Sequence, residues 1–199
     1  MGVLRYSVIT LIHVSLWKTI LSLKLANFQN IEHDTIVCIM KLYTATYLSP
    51  LGMIVLESDG EALVGLRFME TSEVLPQALD TISADTLCTL PIFVEVRQWL
   101  DDYFAGKRPC NVPRLNPQGT EFQRQVWQKL FTIFYGQTKT YGEIARMVGC
   151  KSARAVGQAI GHNPIALIIP CHRVVGANGT LGGYAYGLNR KKQLLELEN

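Results

Sequence analysis

The chain has 199 residues, of which 48% are hydrophobic, and a formal net charge of +3. These values fit a globular protein of one or two small domains with a proper core, and so small a charge does not by itself identify a nucleic-acid-binding protein. The charge is unevenly distributed: residues 1–119 carry nine basic and twelve acidic side chains, whereas residues 120–199 carry ten basic and four acidic ones. We therefore expect the C-terminal part to bind a polyanionic partner.

Four of the five cysteines have no adjacent histidine, and no two cysteines have Cys-x-x-Cys spacing. This excludes the usual zinc-site and disulfide-framework patterns and predicts no bound metal. These thiols are typical of a reducing compartment, so we expect a cytoplasmic protein. They are Cys38, Cys88, Cys110 and Cys150.

The first forty residues contain an apolar stretch, Val3 to Leu25, that basic side chains interrupt. It lacks the unbroken run of about 20 apolar residues of a membrane span, and it fits a signal peptide poorly. We therefore predict no membrane partner. Met40 is the expected natural start, and residues 1–39 are interpreted as an upstream extension that is not native or is poorly ordered.

Strand and turn signals begin after Met40. Three antiparallel strands are predicted at Tyr43–Tyr47, Met53–Ser58 and Ala62–Phe68, because turn residues separate them. Residues from Pro91 to Phe104 then have helical spacing, and Gly106 is a plausible stop.

Residues 107–119 contain three prolines and no periodicity, which favours a linker. The predicted organisation is thus an extension at 1–39, an N-terminal α/β domain at 40–106, a linker at 107–119 and a C-terminal domain at 120–199. The fold class is α+β.

Three helices are predicted next. Thr120 and Gln123 have capping-box spacing, and apolar residues at four-residue intervals continue the first helix to near Gly136. Thr140 opens a short helix through Val148, and Ser152 caps a third helix to about Gly161. The second and third helices have the outline of a helix-turn-helix, a pattern that any two packed helices can share.

The segment Pro170-Cys171-His172-Arg173 carries the strongest chemical signal. A thiol is a useful nucleophile only as the thiolate, and a neighbouring imidazole is the commonest device for producing it. Pro170 stiffens the backbone before the thiol, and apolar residues from Ile165 to Ile169 supply a dry wall. We expect Cys171 to be the nucleophile, although most intracellular cysteines are simply buried small hydrophobes.

This segment, together with Arg154-Ala155-Val156-Gly157, Gly161-x-Asn163-Pro164 and Gly183-Tyr184-Ala185, resembles the methylated-DNA-protein-cysteine methyltransferases, the O6-alkylguanine-DNA alkyltransferase family. The resemblance runs from about Thr120 to Glu198. It implies a ribonuclease H-like N-terminal domain and a C-terminal winged helix-turn-helix-like alkyltransferase domain. It also implies a monomeric suicide repair protein without cofactor, acting on double-stranded DNA that contains O6-alkylguanine, with O4-alkylthymine as a second candidate substrate.

The resemblance further implies roles for individual residues. The family flips the alkylated base out of the duplex and transfers the alkyl group irreversibly to the cysteine, here Cys171. His172 matches the histidine that takes the thiol proton through a water, and Glu198 the carboxylate that orients it. Asn163 resembles an asparagine that braces two active-site segments, and Tyr141 a tyrosine that rotates the target phosphate and supplies a proton near the leaving base.

Each of these positions also has a plainer interpretation. Glu198 would be a solvated charge at a helix end, Asn163 an ordinary Asn-Pro turn, and Tyr141 a packed helix residue.

The resemblance places the third helix in the minor groove and has Arg154, otherwise one more solvated charge, fill the gap left by the flipped base. The candidate DNA contacts are Tyr141, Ser152, Ala153, Arg154, Gly157 and Arg173. The candidate substrate pocket is formed by Ile165, Val174, Gly182, Tyr184, Ala185 and Tyr186.

One position departs from the family pattern Gly-Tyr-x-Gly-Gly-Leu. This chain has Tyr186 where the first glycine of the pair usually lies. An inward phenol would narrow the pocket, so we predict poorer reaction with benzyl adducts than with methyl adducts.

Two other classes of protein share parts of this pattern. A cysteine hydrolase also needs Cys, His and an acid, but nothing in the sequence marks an oxyanion hole. A non-catalytic DNA-damage-binding module is the nearer alternative, and the presence of Cys171 favours the active transferase.

Overall fold

Three antiparallel strands form a sheet in the order β1-β2-β3: β1 Tyr43–Ser49, β2 Gly52–Ser58 and β3 Leu63–Phe68. The computed structural model describes residues 42–69 and 90–199. The strands agree with the prediction to within one or two residues at each end. The turn between β1 and β2 uses the conformational freedom of Gly52, whose φ is +116°. The turn between β2 and β3 is held by the Asp59 carboxylate, which accepts the backbone N–H groups of Glu61 and Ala62.

Helix α1, Pro91–Phe104, has the bounds predicted from its spacing. Pro91 starts it because a first-turn residue needs no intrahelical N–H donor. Its inner face packs on the sheet and on the later helices. The buried residues of α1 are Ile92, Phe93, Val96, Trp99, Leu100 and Tyr103.

The proline-rich segment after α1 is fastened to the sheet. The N–H of Leu63 on β3 donates to the carbonyl of Arg114, and the N–H of Asn116 donates to the carbonyl of Leu63, both at 2.8 Å. Buried side chains on both sides of this segment belong to one continuous core. The expected boundary at 107–119 stays a prediction, and the expected extension at 1–39 lies outside the described residues.

Three helices follow: α2 Glu121–Leu130, α3 Tyr141–Met147 and α4 Ala153–Gly161. Both predicted capping boxes are present, because Thr120 pairs with Gln123 and Thr140 with Glu143. The hydroxyl of Ser152 accepts the N–H of Ala155 and so caps α4, as the sequence predicts. The helix pair α3 and α4 packs directly together.

The prediction that the first of these helices reaches Gly136 is wrong. Helix α2 ends at Leu130, and the side chain of Phe134 is 70% exposed. The apolar spacing continues across the turn, but Ile133 is the residue that enters the core there.

The reactive segment lies in a turn that precedes a short strand. Cys171–Arg173 form a short 3-10 helix, which the N–H of Arg173 closes on the carbonyl of Pro170 at 3.1 Å. Strand β5, Val174–Val175, begins only after it and pairs in parallel with β4, Lys139–Thr140. The last helix, α5, spans Leu188–Glu198. Within the described ranges, none of the helices is both long and apolar enough to cross a membrane.

Candidate active site

A cavity of about 440 Å³ opens between helix α4 and the loop at residues 183–186. The Cys171 side chain borders it. Eight predicted site residues share this lining: Tyr141, Ala153, Arg154, Gly157, Asn163, Tyr184, Ala185 and Tyr186. Residues predicted as separate DNA and pocket groups therefore meet at one opening.

Three predicted pocket residues are absent from the lining. Ile165 and Val174 are fully buried, which makes them part of the core behind the cavity. Gly182 lies against Tyr141 instead: a side chain there would place its Cβ 2.8 Å from the tyrosine ring, and its φ is +64°. Gly182 therefore shapes the loop without lining the cavity.

The thiol of Cys171 is almost completely withdrawn from solvent, with 6% of the residue exposed. Burial raises the pKa of the Cys171 thiol, and a hydrogen bond with Asn163 and the charge of Lys191 oppose that rise. The group therefore rests as the neutral thiol at neutral pH and needs a base before it can react.

Strand β3 holds the loop that leads to Cys171. The N–H of Leu66 donates to the carbonyl of Pro164, and the N–H of Ala166 donates to the carbonyl of Leu66, both at 2.8 Å. Asn163 closes the same loop from inside: its Nδ2 donates to the carbonyl of Ile169 at 2.8 Å, and its Oδ1 accepts the N–H of Ile165 at 3.0 Å. The brace expected of Asn163 is thus present in the geometry.

His172 is fully buried, and its two ring nitrogens have different surroundings. Nε2 lies 2.8 Å from Oε1 of Glu198, and because a carboxylate only accepts, Nε2 carries the hydrogen. Nδ1 has no hydrogen-bond partner among the residues that the structure describes. Burial lowers the pKa of His172 and outweighs the opposing effect of Glu198, so the ring is a neutral base with a free lone pair.

Glu198 is not a solvated helix-end charge, because only 3% of it is exposed. Burial raises the pKa of Glu198, but hydrogen bonds from His172 and Arg173 outweigh it and bring the pKa to about 2. The N–H of Gly136 also donates to Oε2, at 3.3 Å. The carboxylate is therefore ionised and fixed in one orientation.

The prediction that Arg173 contacts DNA is corrected. Its side chain is 11% exposed. Nε donates to Oε2 of Glu198 at 2.8 Å, and Nη2 donates to Oε1 at 3.0 Å. Nη1 donates to the carbonyl of Ile133 at 2.7 Å. The guanidinium is committed to holding Glu198 and is not presented to a ligand.

Lys191, a fully buried lysine in the first turn of α5, was not among the predicted site residues. Its Nζ donates to the carbonyls of Val174, Leu181 and Gly183, which ties the cavity loop to strand β5. Burial lowers the pKa of Lys191 to about 8, and ionisation of Cys171 to the thiolate would oppose this. A lysine within a polar run of a helix is usually a surface residue, so no periodic signal distinguishes it.

Three tyrosines line the cavity wall. The hydroxyl of Tyr141 donates to the carbonyl of Gly183 at 3.2 Å. The ring of Tyr186 packs edge-on against Tyr184 and against Phe68 of the sheet, with centroid separations of 5.5 Å and 5.4 Å. The Tyr184 hydroxyl is buried and has no partner in the described ranges, so it is a polar group available to a ligand.

The N-terminal end of α4 borders the cavity and carries exposed residues. Arg154 is exposed in the first turn of this helix, directly after Ser152 and Ala153. Gly157 lies against the Tyr141 ring, and an added Cβ would meet that ring at 3.6 Å, an ordinary contact distance. A positive side chain thus stands beside an apolar opening. Across residues 42–69 and 90–199, no group of three or more His, Cys, Asp or Glu side chains could hold a metal ion.

Comparison with known proteins gives two family matches. Residues 42–111 match the ribonuclease-like domain of 6-O-methylguanine DNA methyltransferase, and residues 121–199 match its DNA-binding domain. A methylated-DNA–protein-cysteine methyltransferase of Methanosarcina acetivorans is 45% identical over 158 residues, which cover 79% of this chain and 98% of the relative.

Solved structures agree with this. The crystal structure of Mycobacterium tuberculosis O6-methylguanine methyltransferase is 43% identical, covers 79% of this chain and 93% of that one, and superposes with a TM-score of 0.67. A crystal structure of the Mycobacterium tuberculosis protein in complex with DNA is 42% identical with a TM-score of 0.66, covering 78% of this chain and 92% of that one. The α+β fold class is confirmed. The chain belongs to the 6-O-methylguanine DNA methyltransferase family.

Proposed function

We propose that this protein repairs O6-alkylguanine in double-stranded DNA by transferring the alkyl group irreversibly to Sγ of its own Cys171. The observation that carries the proposal is the arrangement around the thiol. A neutral thiol borders an apolar cavity, and the next residue is a buried histidine with one unpartnered ring nitrogen and the other held by a carboxylate.

The residues present account for every proton in the reaction. Nδ1 of His172 takes the thiol proton through a water, and the Nε2–H to Glu198 bond stabilises the resulting imidazolium. Sγ of Cys171 attacks the alkyl carbon in line, a C–S bond forms and the C–O6 bond breaks. The leaving guanine anion takes a proton at its ring nitrogen from the Tyr141 hydroxyl, and the imidazolium proton of His172 passes through solvent to restore that hydroxyl. The thioether is stable in water, so each chain reacts once.

The cavity fits a base that has left the duplex. O6 of a stacked guanine is out of reach of a thiol that is 6% exposed, so the base must flip out, at a cost of a few kcal/mol. The tyrosine rings give the flipped base flat apolar surfaces, and the unpartnered Tyr184 hydroxyl gives it a polar contact. Arg154, which borders the cavity, fills the space left in the duplex.

The relatives support the proposal, since they are methylated-DNA–protein-cysteine methyltransferases and one was solved in complex with DNA. The basic surplus of residues 120–199 fits a DNA partner as well. The monomeric state and the cytoplasmic location stay predictions.

Intact-protein mass spectrometry tests the proposal directly. The protein is incubated with a duplex that contains one O6-methylguanine, and the gain of a single methyl is mapped by peptide fragmentation. We expect the methyl on Cys171 and none on the Cys171→Ala chain, whereas Cys110→Ala, which removes an exposed thiol, should react like the parent. Tight binding of the damaged duplex without any mass gain would instead favour the non-catalytic damage-binding class.

A further inference from the structure

Tyr103 of helix α1 reaches the pair that activates the thiol. Its hydroxyl lies 2.7 Å from Oε1 of Glu198 and 3.4 Å from Nε2 of His172, and its side chain is fully buried. The tyrosine precedes these residues by 95 and 69 positions in the chain. A residue of the N-terminal part therefore contacts the histidine–carboxylate pair of the C-terminal part.

The direction of this hydrogen bond is fixed by chemistry. A carboxylate has no proton to give, so the phenol donates. Burial and the negative charge of Glu198 both raise the pKa of Tyr103, which keeps it a donor throughout the working pH range. Oε1 of Glu198 thus accepts from Tyr103 and from Nε2 of His172 at the same time.

Packing alone does not require the hydroxyl. The Tyr103 ring stacks on Trp99 at a centroid separation of 5.2 Å and meets Phe104 and Tyr135 edge-on at 5.3 Å and 6.1 Å. A phenylalanine ring would keep these contacts. What the hydroxyl adds is a charge-assisted hydrogen bond to a carboxylate that already binds the imidazole.

We propose that Tyr103 is a positioning residue for alkyl transfer: its hydroxyl holds the Glu198 carboxylate in place and weakens the pull of that carboxylate on Nε2–H of His172. This rests on the proposed function, because the imidazole acts there as the base. By drawing electron density from Oε1, Tyr103 keeps the ring from becoming too basic. The ring then stays neutral, with Nδ1 free to accept the thiol proton, over a wider pH range.

Several other groups bear on the same imidazole, and removing the Tyr103 hydroxyl changes none of them chemically. They are Glu198 and Lys191 on α5, and Arg173 in the same 3-10 turn as His172. A change in the behaviour of His172 on loss of one hydroxyl from α1 is therefore assigned to Tyr103.

The test is Tyr103→Phe, with Tyr47→Phe as the matched control. Tyr47 also donates its hydroxyl to a carboxylate, Asp101 of α1, at 2.8 Å, but away from the cavity. The imidazole titration of His172 is followed by NMR in each chain, and the single-turnover rate of methyl transfer is measured across pH. In Tyr103→Phe we expect the midpoints of the His172 titration and of the pH–rate profile to move to higher pH by about one unit. On the acid limb of the profile this corresponds to a rate about tenfold lower than that of the parent.

The control should keep the parent values. An unmoved His172 titration in folded Tyr103→Phe overturns the inference. A parent protein that never transfers a methyl group refutes the proposed function instead, and the NMR titration still decides the role of Tyr103. Should Tyr103→Phe fail to fold, 3-fluorotyrosine at position 103 keeps the ring and makes a stronger donor, so the midpoint must then move to lower pH; an unchanged or raised midpoint overturns the inference.

Discussion

The carboxylate of Glu198 on α5 lies 2.8 Å from Nε2 of His172, and both side chains are buried. One acid therefore serves the structure and the chemistry: it neutralises the buried Arg173 guanidinium and orients the imidazole. When one partner of a buried ionic group such as Glu198 is removed, the remaining charged or polar partners stay buried without compensation. The resulting loss of stability is large enough to measure.

Glu198 should make the protein sensitive to acid. Its pKa is about 2 in the folded protein against an ordinary value of 4.5, so the carboxylate stabilises the fold above about pH 4.5. That contribution is lost as the pH falls from about 4.5 towards 2. Urea unfolding at stepped pH should show the parent losing stability over this range and Glu198→Gln losing less.

At neutral pH the same variant should be less stable by roughly 3 kcal/mol, because Arg173 loses its charged partner. Glu196→Gln on the same helix is the control, since Glu196 is exposed and pairs with the exposed Lys192 at 3.6 Å. An equal acid dependence in Glu198→Gln and the parent would contradict the assignment.

Lys191→Met should destabilise the cavity loop and make the Cys171 thiol harder to ionise. The substitution leaves three carbonyls without their buried donor and removes a positive charge near Cys171. We expect unfolding to become easier by roughly 2 kcal/mol, and methyl transfer at pH 7 to slow about tenfold, as for a rise of one unit in the thiol pKa. Lys192→Met, the exposed neighbour, should behave like the parent in urea unfolding and single-turnover assays.

Arg154→Ala should separate DNA repair from reaction with a free base. Arg154 is exposed and borders the cavity, so its loss should slow repair of O6-methylguanine in a duplex by about tenfold, or ~1.4 kcal/mol. Reaction with free O6-benzylguanine should be unchanged, because no duplex gap has to be filled. Arg114→Ala, whose guanidinium pairs with Glu61 at 3.3 Å, controls for charge alone. Equal slowing of both substrates would place Arg154 in the pocket instead.

Tyr186→Gly should widen the pocket. The Tyr186 ring borders the cavity and is packed between Tyr184 and Phe68, where it occupies space that a benzyl group would need. We expect the benzyl-to-methyl rate ratio to rise at least about tenfold, the scale of one pocket contact of this size. Tyr186→Phe keeps the ring and should keep the ratio. The measurement compares O6-benzylguanine and O6-methylguanine in the same oligonucleotide, and unchanged ratios would show that the phenol does not limit access.

Local sequence signals predicted the elements well. The capping boxes at Thr120 and Thr140 and the proline at position 91 fix helix starts, because each satisfies or omits backbone donors within a few residues. They failed where apolar spacing ran past a turn, as at Phe134, and they did not indicate the 3-10 turn of Cys171–Arg173.

The sequence by itself determined the reactive pair, Cys171 beside His172, and the helices that carry Arg154 and Tyr141, since these rest on adjacency and short spacing. Only the tertiary structure decided that Arg173 faces Glu198 and not DNA, that Lys191 is buried, and that Tyr103 meets an acid 95 residues away. The physical reason is that burial and ionic pairing arise when distant segments fold onto one core. The sequence alone suggests that such a charged residue lies on the surface. It can be buried when another element of the fold supplies its ion-pair and hydrogen-bond partners.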